Sequence, residues 1–365
     1  MNNLPTEIMV MILELLDFKS QTRFIFVSKI NKQLLKYWVI TEKIYVIKKV
    51  LSWCYYDNLS NIKIYKIPKN YPKKIQRLEF DSDFNQLIDK CIPTSVKYLT
   101  FGSSFNQLVD ECIPTSVKYL TFGFWFNRTV DNLPLSIESI KFGEKFNQKV
   151  DKLPSSIKNI EFGHCFNRLV DKLPSSITNI KFGYYFNKSV DKLPSSIESI
   201  EFGGNFDQSV DKLPSSIKSI EFGGNFNQTV DNLPSSIKRI EFGYGFNRSL
   251  DKLPSTVTHL GIHWKFYQPL KDIPQSVTHL IVHCERFNGK IPETVTHLTM
   301  HNSQYKEEHM SEKVTHLTIK GTELKNKTIP KTVTNLTLDT LKNIIIPETV
   351  TTLIVAGKKI DRRKN

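Results

Sequence analysis

No apolar run in this 365-residue chain approaches the ~18–20 residues that a membrane-spanning helix needs. The first residues, MNNLPTEIMV, lack the basic stretch and apolar core that mark a secretory leader. Five cysteines over this length are too few for a disulfide scaffold. These absences predict a reduced compartment, cytoplasmic or nuclear, with no secretion and no membrane partner. Signature loops of catalysis are missing too: there is no Walker loop, no G-x-S-x-G and no H-E-x-x-H. Repeated carboxylates alone do not supply the unlike environments that separate an acid from a base. No enzyme, catalytic residue or cofactor is expected.

Positive charge is plentiful, with 50 Lys and Arg against 36 Asp and Glu, a net +14. Its distribution argues against a nucleic-acid partner. Residues 1–80 hold 14 basic and 6 acidic residues, residues 81–258 hold 20 and 20, and residues 259–365 hold 16 and 10. The middle is neutral, so no continuous basic stripe forms.

What is present is order. Phe126, Phe146, Phe166, Phe186, Phe206, Phe226, Phe246 and Phe266 recur every 20 residues, as do prolines from Pro134 to Pro274. Upstream the period is 21, from Pro72 to Pro93 to Pro114, and downstream it shortens to 17–19. A fixed period in this range signals a solenoid. In the unit DKLPSSIESIEFGGNFDQSV at 191–210, Ile197-x-x-Ile200-x-Phe202 has the alternation of a short strand. Ile200 and Phe202 should point inward, with Ser199, Glu201 and Gly203 outward. Gly203 and Gly204 should end the strand by taking a positive φ. Pro214 with its neighbours makes the next corner. Fifteen such strand cores are predicted, the first near Ile75 and the last near Val350. Twenty residues hold no full helix beside a strand, so stacked coils should build one long parallel sheet.

The pattern Ile197-x-x-Ile200-x-Phe202 resembles the leucine-rich-repeat family. It is more similar still to the FNIP repeat, through Phe105-Asn106, Phe126-Asn127, Phe146-Asn147 and Phe287-Asn288, and through Ile92-Pro93, Ile113-Pro114 and Ile291-Pro292. The Asn falls five residues after the last apolar residue of the strand rather than three. A ladder of Asn side chains capping backbone groups between coils is therefore expected.

Residues 1–50 do not follow the repeat. Ile8, Met11, Ile12, Leu15 and Leu16 form one helical stripe, and Phe24, Val27, Ile30, Leu34 and Leu35 a second. Thr6 and Ser20 are candidate caps. Leu4-Pro5-Thr6-Glu7-Ile8, Ile12-Leu13, Leu16-Asp17, Val27-Ser28-Lys29 and Trp38 together resemble an F-box. Gln21 and Asn31 depart from the usual residues of that motif. The resemblance implies docking on a Skp-type adaptor of a cullin-RING ubiquitin ligase through Leu4, Pro5, Ile8, Ile12, Leu16 and Val27. It implies that the repeats recruit a target protein for that ligase. The alternative is an interaction solenoid with no ubiquitin role, whose helical N-terminus covers the open end of the coils. The fold class expected is α/β: a small helical F-box at 1–50, a connector at 51–70, a leucine-rich-repeat-like solenoid of 20-residue coils at 71–356 and a basic tail at 357–365.

Candidate target-binding residues lie on the outward strand positions of the concave face, which vary between coils. Glu161, Glu201, Glu221 and Glu241 line the middle column of the first half. In the second half His259, His279, His297 and His316 share one column, and His263, His283 and His301 another, with rings ~5 Å apart. Imidazoles at that spacing raise the question of a metal, but carboxylate and Cys ligands at matching spacing are missing, save Cys284 beside His283. No metal is assigned. A corner column, Asp131 to Asp251, should be offset by the Lys residues beside it. Cys91 and Cys112 fall at the extra residue of the 21-residue coils and are expected to be free thiols.

Overall fold

A computed structural model describes residues 44–46, 59–270, 273–284, 290–301, 306–321, 327–341 and 344–360. The expected F-box and its adaptor-facing residues, Leu4, Pro5, Ile8, Ile12, Leu16 and Val27, lie outside the described residues. The repeat region is a parallel β-solenoid of about 14 turns with ~20-residue coils, leucine-rich-repeat-like. The chain divides into two compact units, 1–163 and 164–365.

The first unit carries β1 (Ile44–Val46), β2 (Asn61–Ile64), β3 (Arg77–Phe80), β4 (Tyr98–Thr100), β5 (Tyr119–Thr121), β6 (Ser139–Lys141) and β7 (Asn159–Glu161). Each pairs in parallel with the next. The second unit carries β8 (Asn179–Lys181), β9 (Ser199–Glu201), β10 (Ser219–Glu221), β11 (Arg239–Glu241), β12 (His259–Trp264), β13 (His279–Cys284), β14 (His297–His301) and β15 (His316–Lys320). It continues with β16 (Lys327–Thr328), β17 (Asn335–Leu338), β18 (Ile344–Ile345), β19 (Thr352–Val355) and β20 (Lys358–Ile360). From β8 to β15, and on through β17 and β19, every neighbour is parallel. β16 and β18 form a separate two-stranded ladder.

All fifteen predicted strand cores carry a strand. The ladder also runs past both expected ends. β2 lies in the segment read as a connector, because Asn61-Ile62-Lys63-Ile64 already alternates inward and outward. β20, in the segment read as a tail, turns back antiparallel on β19 through Ala356 and Gly357, both at positive φ.

Pairing is in register, with Ile200 opposite Ile220 and Ile220 opposite Ile240. Equivalent residues therefore stack in columns. Ile200 and Phe202 are buried, as their alternation predicts. Two Phe columns fill the coils. Phe202 lies 3.8 Å from Phe206 within its coil and 5.6 Å from Phe222 in the next, while Phe206 lies 6.0 Å from Phe226. Burying such a ring contributes about 1.5–3 kcal/mol before entropy is counted. The second Ser of each Pro-Ser-Ser corner ties neighbouring coils, as Ser216 Oγ donating to the Ile197 carbonyl at 2.6 Å.

The glycine at the strand end has a different cause from the one expected. Gly203 does not adopt a positive φ. A Cβ placed on it would lie 2.0 Å from the Gly183 carbonyl oxygen. Close approach of successive backbones, not turn geometry, selects glycine there. Positive φ occurs instead at Lys90 and Glu111, beside the extra residue of the 21-residue coils.

Candidate functional site

The expected Asn ladder is present in both units. In the first, Asn127 N–H donates to Asn106 Oδ1 at 3.0 Å and Asn147 N–H to Asn127 Oδ1 at 2.9 Å. In the second, Asn247 N–H donates to Asn227 Oδ1 at 2.9 Å, and Tyr267 N–H to Asn247 Oδ1 at 3.0 Å. Each side chain thus satisfies a backbone donor of the following coil.

Those positions differ along the chain. In the first unit Arg77 lies 3.6 Å over the Tyr98 ring, which stacks on Tyr119 at 4.5 Å. Lys141 pairs with Glu161 at 2.7 Å. In the second unit the middle column begins with Lys181 and continues with Glu201, Glu221 and Glu241. Lys181 pairs with Glu201. Arg239 reaches Glu241 at 3.3 Å, as does His263 Nε2. The His263 contact is the main cause holding the Glu241 carboxyl below its ordinary range. Glu221 has no ion-pair partner among the described residues. Burial, then the flanking Glu201 and Glu241 charges, push its carboxyl up.

From β12 onward the histidines take over. His259, His279, His297 and His316 stack face to face, with centroids 4.1, 4.0 and 4.0 Å apart, closer than the expected ~5 Å. Each Nδ1 lies 2.9–3.0 Å from the hydroxyl of the preceding Thr258, Thr278, Thr296 or Thr315. Burial first, then neighbouring positive charge, lowers the pKa of His259, His279 and His297. In the second column His263 meets His283 edge-on at 5.2 Å. His283 Nε2 is buried without a hydrogen-bond partner, and its pKa is lowered to about 4, chiefly by burial. Among the described residues no three His, Cys, Asp or Glu side chains form a group suited to a metal ion.

Between the His columns lies the middle column, Gly261, Ile281, Thr299, Thr318, Thr337 and Ile354. This face forms an open groove of about 370 Å³, lined by the His259–His316 stack and bounded at one end by Arg239. The structure thus brings His259, His279 and His297 together in one groove, with Glu241 at its mouth and Glu221 one strand beyond.

Two further features complete the surface. The Asp column is offset as expected: Lys212 lies 3.2 Å from Asp191 and Lys252 3.3 Å from Asp231. Such exposed pairs are worth ~0–1 kcal/mol each. Cys91, Cys112, Cys165 and Cys284 are free thiols. Sequence reasoning missed the exposed aromatics just past the strand ends. Phe124 and Trp125 stand out in the first unit, and Tyr184, Tyr185 and Tyr244 in the second. The readable signal was the two-residue gap after each Phe-Gly, where ring residues replace Ser, Gly or Asn.

Comparison with known proteins bears on this surface. A model of the FNIP Repeat family matches residues 84–125, 126–165, 166–205, 189–224, 206–245 and 226–265. A model of the F-box domain matches residues 1–42. Among solved structures the chain is similar to CroV588, a circular LRR protein, at 29% identity and a TM-score of 0.67. That match covers 82% of this chain and 53% of the other, so this chain spans about half its length. Weaker matches are the functional domain of InlJ from Listeria monocytogenes (8% identity, TM-score 0.45, 79% of this chain and 68% of that one) and YopM from Yersinia enterocolitica WA-314 (15%, 0.41, 82% and 74%). No curated protein matches the chain.

Proposed function

Because this chain is an F-box and FNIP repeat-containing protein of the leucine-rich-repeat kind, we propose that it is the substrate-recruiting subunit of a cullin-RING ubiquitin ligase. The observation that carries this reading is the F-box match at 1–42 on the same chain as the repeat solenoid. F-box domains bind Skp1-type adaptors, and leucine-rich-repeat solenoids bind protein targets. The protein would perform no chemistry itself. It would hold a target near the catalytic partners of the ligase, raising the local concentration there. Leu4, Pro5, Ile8, Ile12, Leu16 and Val27 would face the adaptor. The outward strand positions, Glu201, Glu221, Glu241, His259, His279 and His297 among them, would face the target. The side chains there vary between coils while the buried positions do not, which leaves them available for recognition.

A pull-down with purified Skp-type adaptor tests the first half. Wild type should bind, and Leu4→Ala with Pro5→Ala should not. Equal capture of both, or no capture of wild type, removes the adaptor role. One observation favours the alternative of an end cap with no ubiquitin role. β1 pairs with β2, so the chain joins the edge of the sheet directly after the matched F-box residues. Under that reading the double variant loses thermal stability instead of adaptor binding.

A further inference from the structure

The groove of the second unit has a chemical polarity that narrows what it can hold. Each stacked His has its Nδ1 against a Thr hydroxyl. Those hydroxyls in turn contact carbonyls of the preceding coil: Thr258 reaches Lys238 O at 3.2 Å, and Thr278, Thr296 and Thr315 reach theirs at 3.4–3.5 Å. Each ring thus spends its Nδ1 on a hydroxyl, in a contact that either group can donate. Nε2 of His259, His279, His297 and His316 has no hydrogen-bond partner among the described residues, so each ring offers one polar atom to a ligand.

The mouth of the groove continues the theme. Arg239, the one cation among the lining residues, is engaged by Glu241. Glu221, one strand spacing of about 4.8 Å further on, faces outward with no cation of its own. The floor is small or β-branched and leaves a continuous track. The track offers ring nitrogens and the hydroxyls of Thr299, Thr318 and Thr337 to a ligand, and the charge left without a partner beside it is the Glu221 carboxylate.

We propose that this groove binds an extended segment of the target protein whose Lys or Arg side chain pairs with Glu221. The inference rests on the target-binding reading of this sheet face given above. It runs against the net charge of the chain: at +14, non-specific attraction favours acidic ligands. Selection of basic peptides is therefore a property of the groove and not of the chain as a whole.

A random 12-residue peptide library displayed on phage, selected on the full chain at neutral pH and counter-screened on Thr318→Trp, tests this. Thr318 is outward and half-buried, so a Trp there fills the track while leaving the core untouched. Enrichment of Lys- or Arg-bearing peptides that fail to bind the blocked variant supports the proposal. So does roughly tenfold weaker binding of those synthetic peptides to Glu221→Gln, the worth of one charge-assisted hydrogen bond. Groove-dependent enrichment of acidic or uncharged peptides overturns the proposal and leaves the target-binding face standing. Peptides that bind Thr318→Trp unchanged, or no groove-dependent enrichment, overturn both. Should Thr318→Trp lose its circular-dichroism signature, Ile281→Trp takes its place, and Glu221→Gln decides the outcome in either case.

Discussion

The Asn ladder permits a sharp test, because one coil already contains the control substitution. Asn127 Oδ1 accepts from Asn147 N–H at 2.9 Å and from Gln148 Nε2 at 3.0 Å. At the equivalent place downstream stands Asp207. Its Oδ1 accepts from Asn227 N–H at 2.9 Å and from Gln228 Nε2 at 3.0 Å. The ladder therefore uses the acceptor oxygen and has no need of the amide nitrogen. Asn127→Ala removes both bonds and leaves a half-buried backbone donor unpaired, which costs about 1–3 kcal/mol. Water reaches this edge of the coil, so the lower half of that range, about 1–2 kcal/mol, is expected. Asn127→Asp should stay within about 0.5 kcal/mol of wild type. A solenoid can open locally, so a single melting temperature averages over events that should be kept apart. Amide hydrogen exchange across residues 140–165 is the better assay. Alanine should speed exchange there by about 5–30-fold, with the terminal coils unchanged. If Asp is as damaging as Ala, or if Ala changes nothing, the ladder is not an acceptor ladder and the reasoning fails.

Other expectations follow from the same geometry. Ile200→Asp should cost roughly 3–5 kcal/mol by burying an unpaired charge, while Ser199→Asp is tolerated; equal denaturation midpoints would refute the assignment of the strand faces. Gly223→Ala should cost about 1–3 kcal/mol, because its Cβ would sit 2.0 Å from the Gly203 oxygen, whereas Gly224→Ala, with nothing nearer than 3.8 Å, should be near neutral in urea unfolding. His283 has a folded pKa of about 4, below its unfolded value near 6.5, so it contributes stability above that unfolded value which is lost as pH falls through it and levels off near 4. Between pH 7.5 and 5 the loss is at most about 2 kcal/mol, less after solvent screening. His283→Gln should flatten that part of the pH profile of unfolding, and an unchanged slope would refute the assignment.

Much of this was legible in the residues. The period placed every strand core, because a coil that cannot bury its own apolar face must repeat its pattern to be buried by its neighbours. The FNIP spacing, with Asn five residues past the strand, foretold the ladder. Three things were not legible. The reach of β2 and β20 depends on pairing partners rather than on the repeat, so counting could not find it. The role of Gly203 was misread as a torsional need, since a sequence shows the missing Cβ but not the backbone it would strike. The exposed aromatics past the strand ends have no period, and residues that break a pattern carry no prediction from it.

The place of the groove follows from one exchange in the repeat. In the first eleven strands no strand exceeds four residues, and from β4 onward each stops after three, at Phe-Gly in most coils. The two Phe columns fill the coil, and the glycine backbones lie too close for any side chain between them. From β12 the pair becomes Ile262-His263, Val282-His283 and Met300-His301. Phe266 is the last ring of its column among the described residues, smaller residues line the core, and β12 and β13 lengthen to six residues. Six pairs join them, from His259 opposite His279 to Trp264 opposite Cys284. A strand of five or six residues presents three outward columns, and one of three residues presents two. The first holds the His stack, the second the floor and the third His263 and His283. Upstream the third column is glycine by necessity: a Cβ on Gly243 would meet the Gly223 oxygen at 2.1 Å. Placing a second groove further up the array by surface substitution should therefore fail. Gly243→His would first require Phe242 to become aliphatic, as it is in every coil that bears a histidine there. The aromatic filling of the core thus decides which coils carry a third outward column.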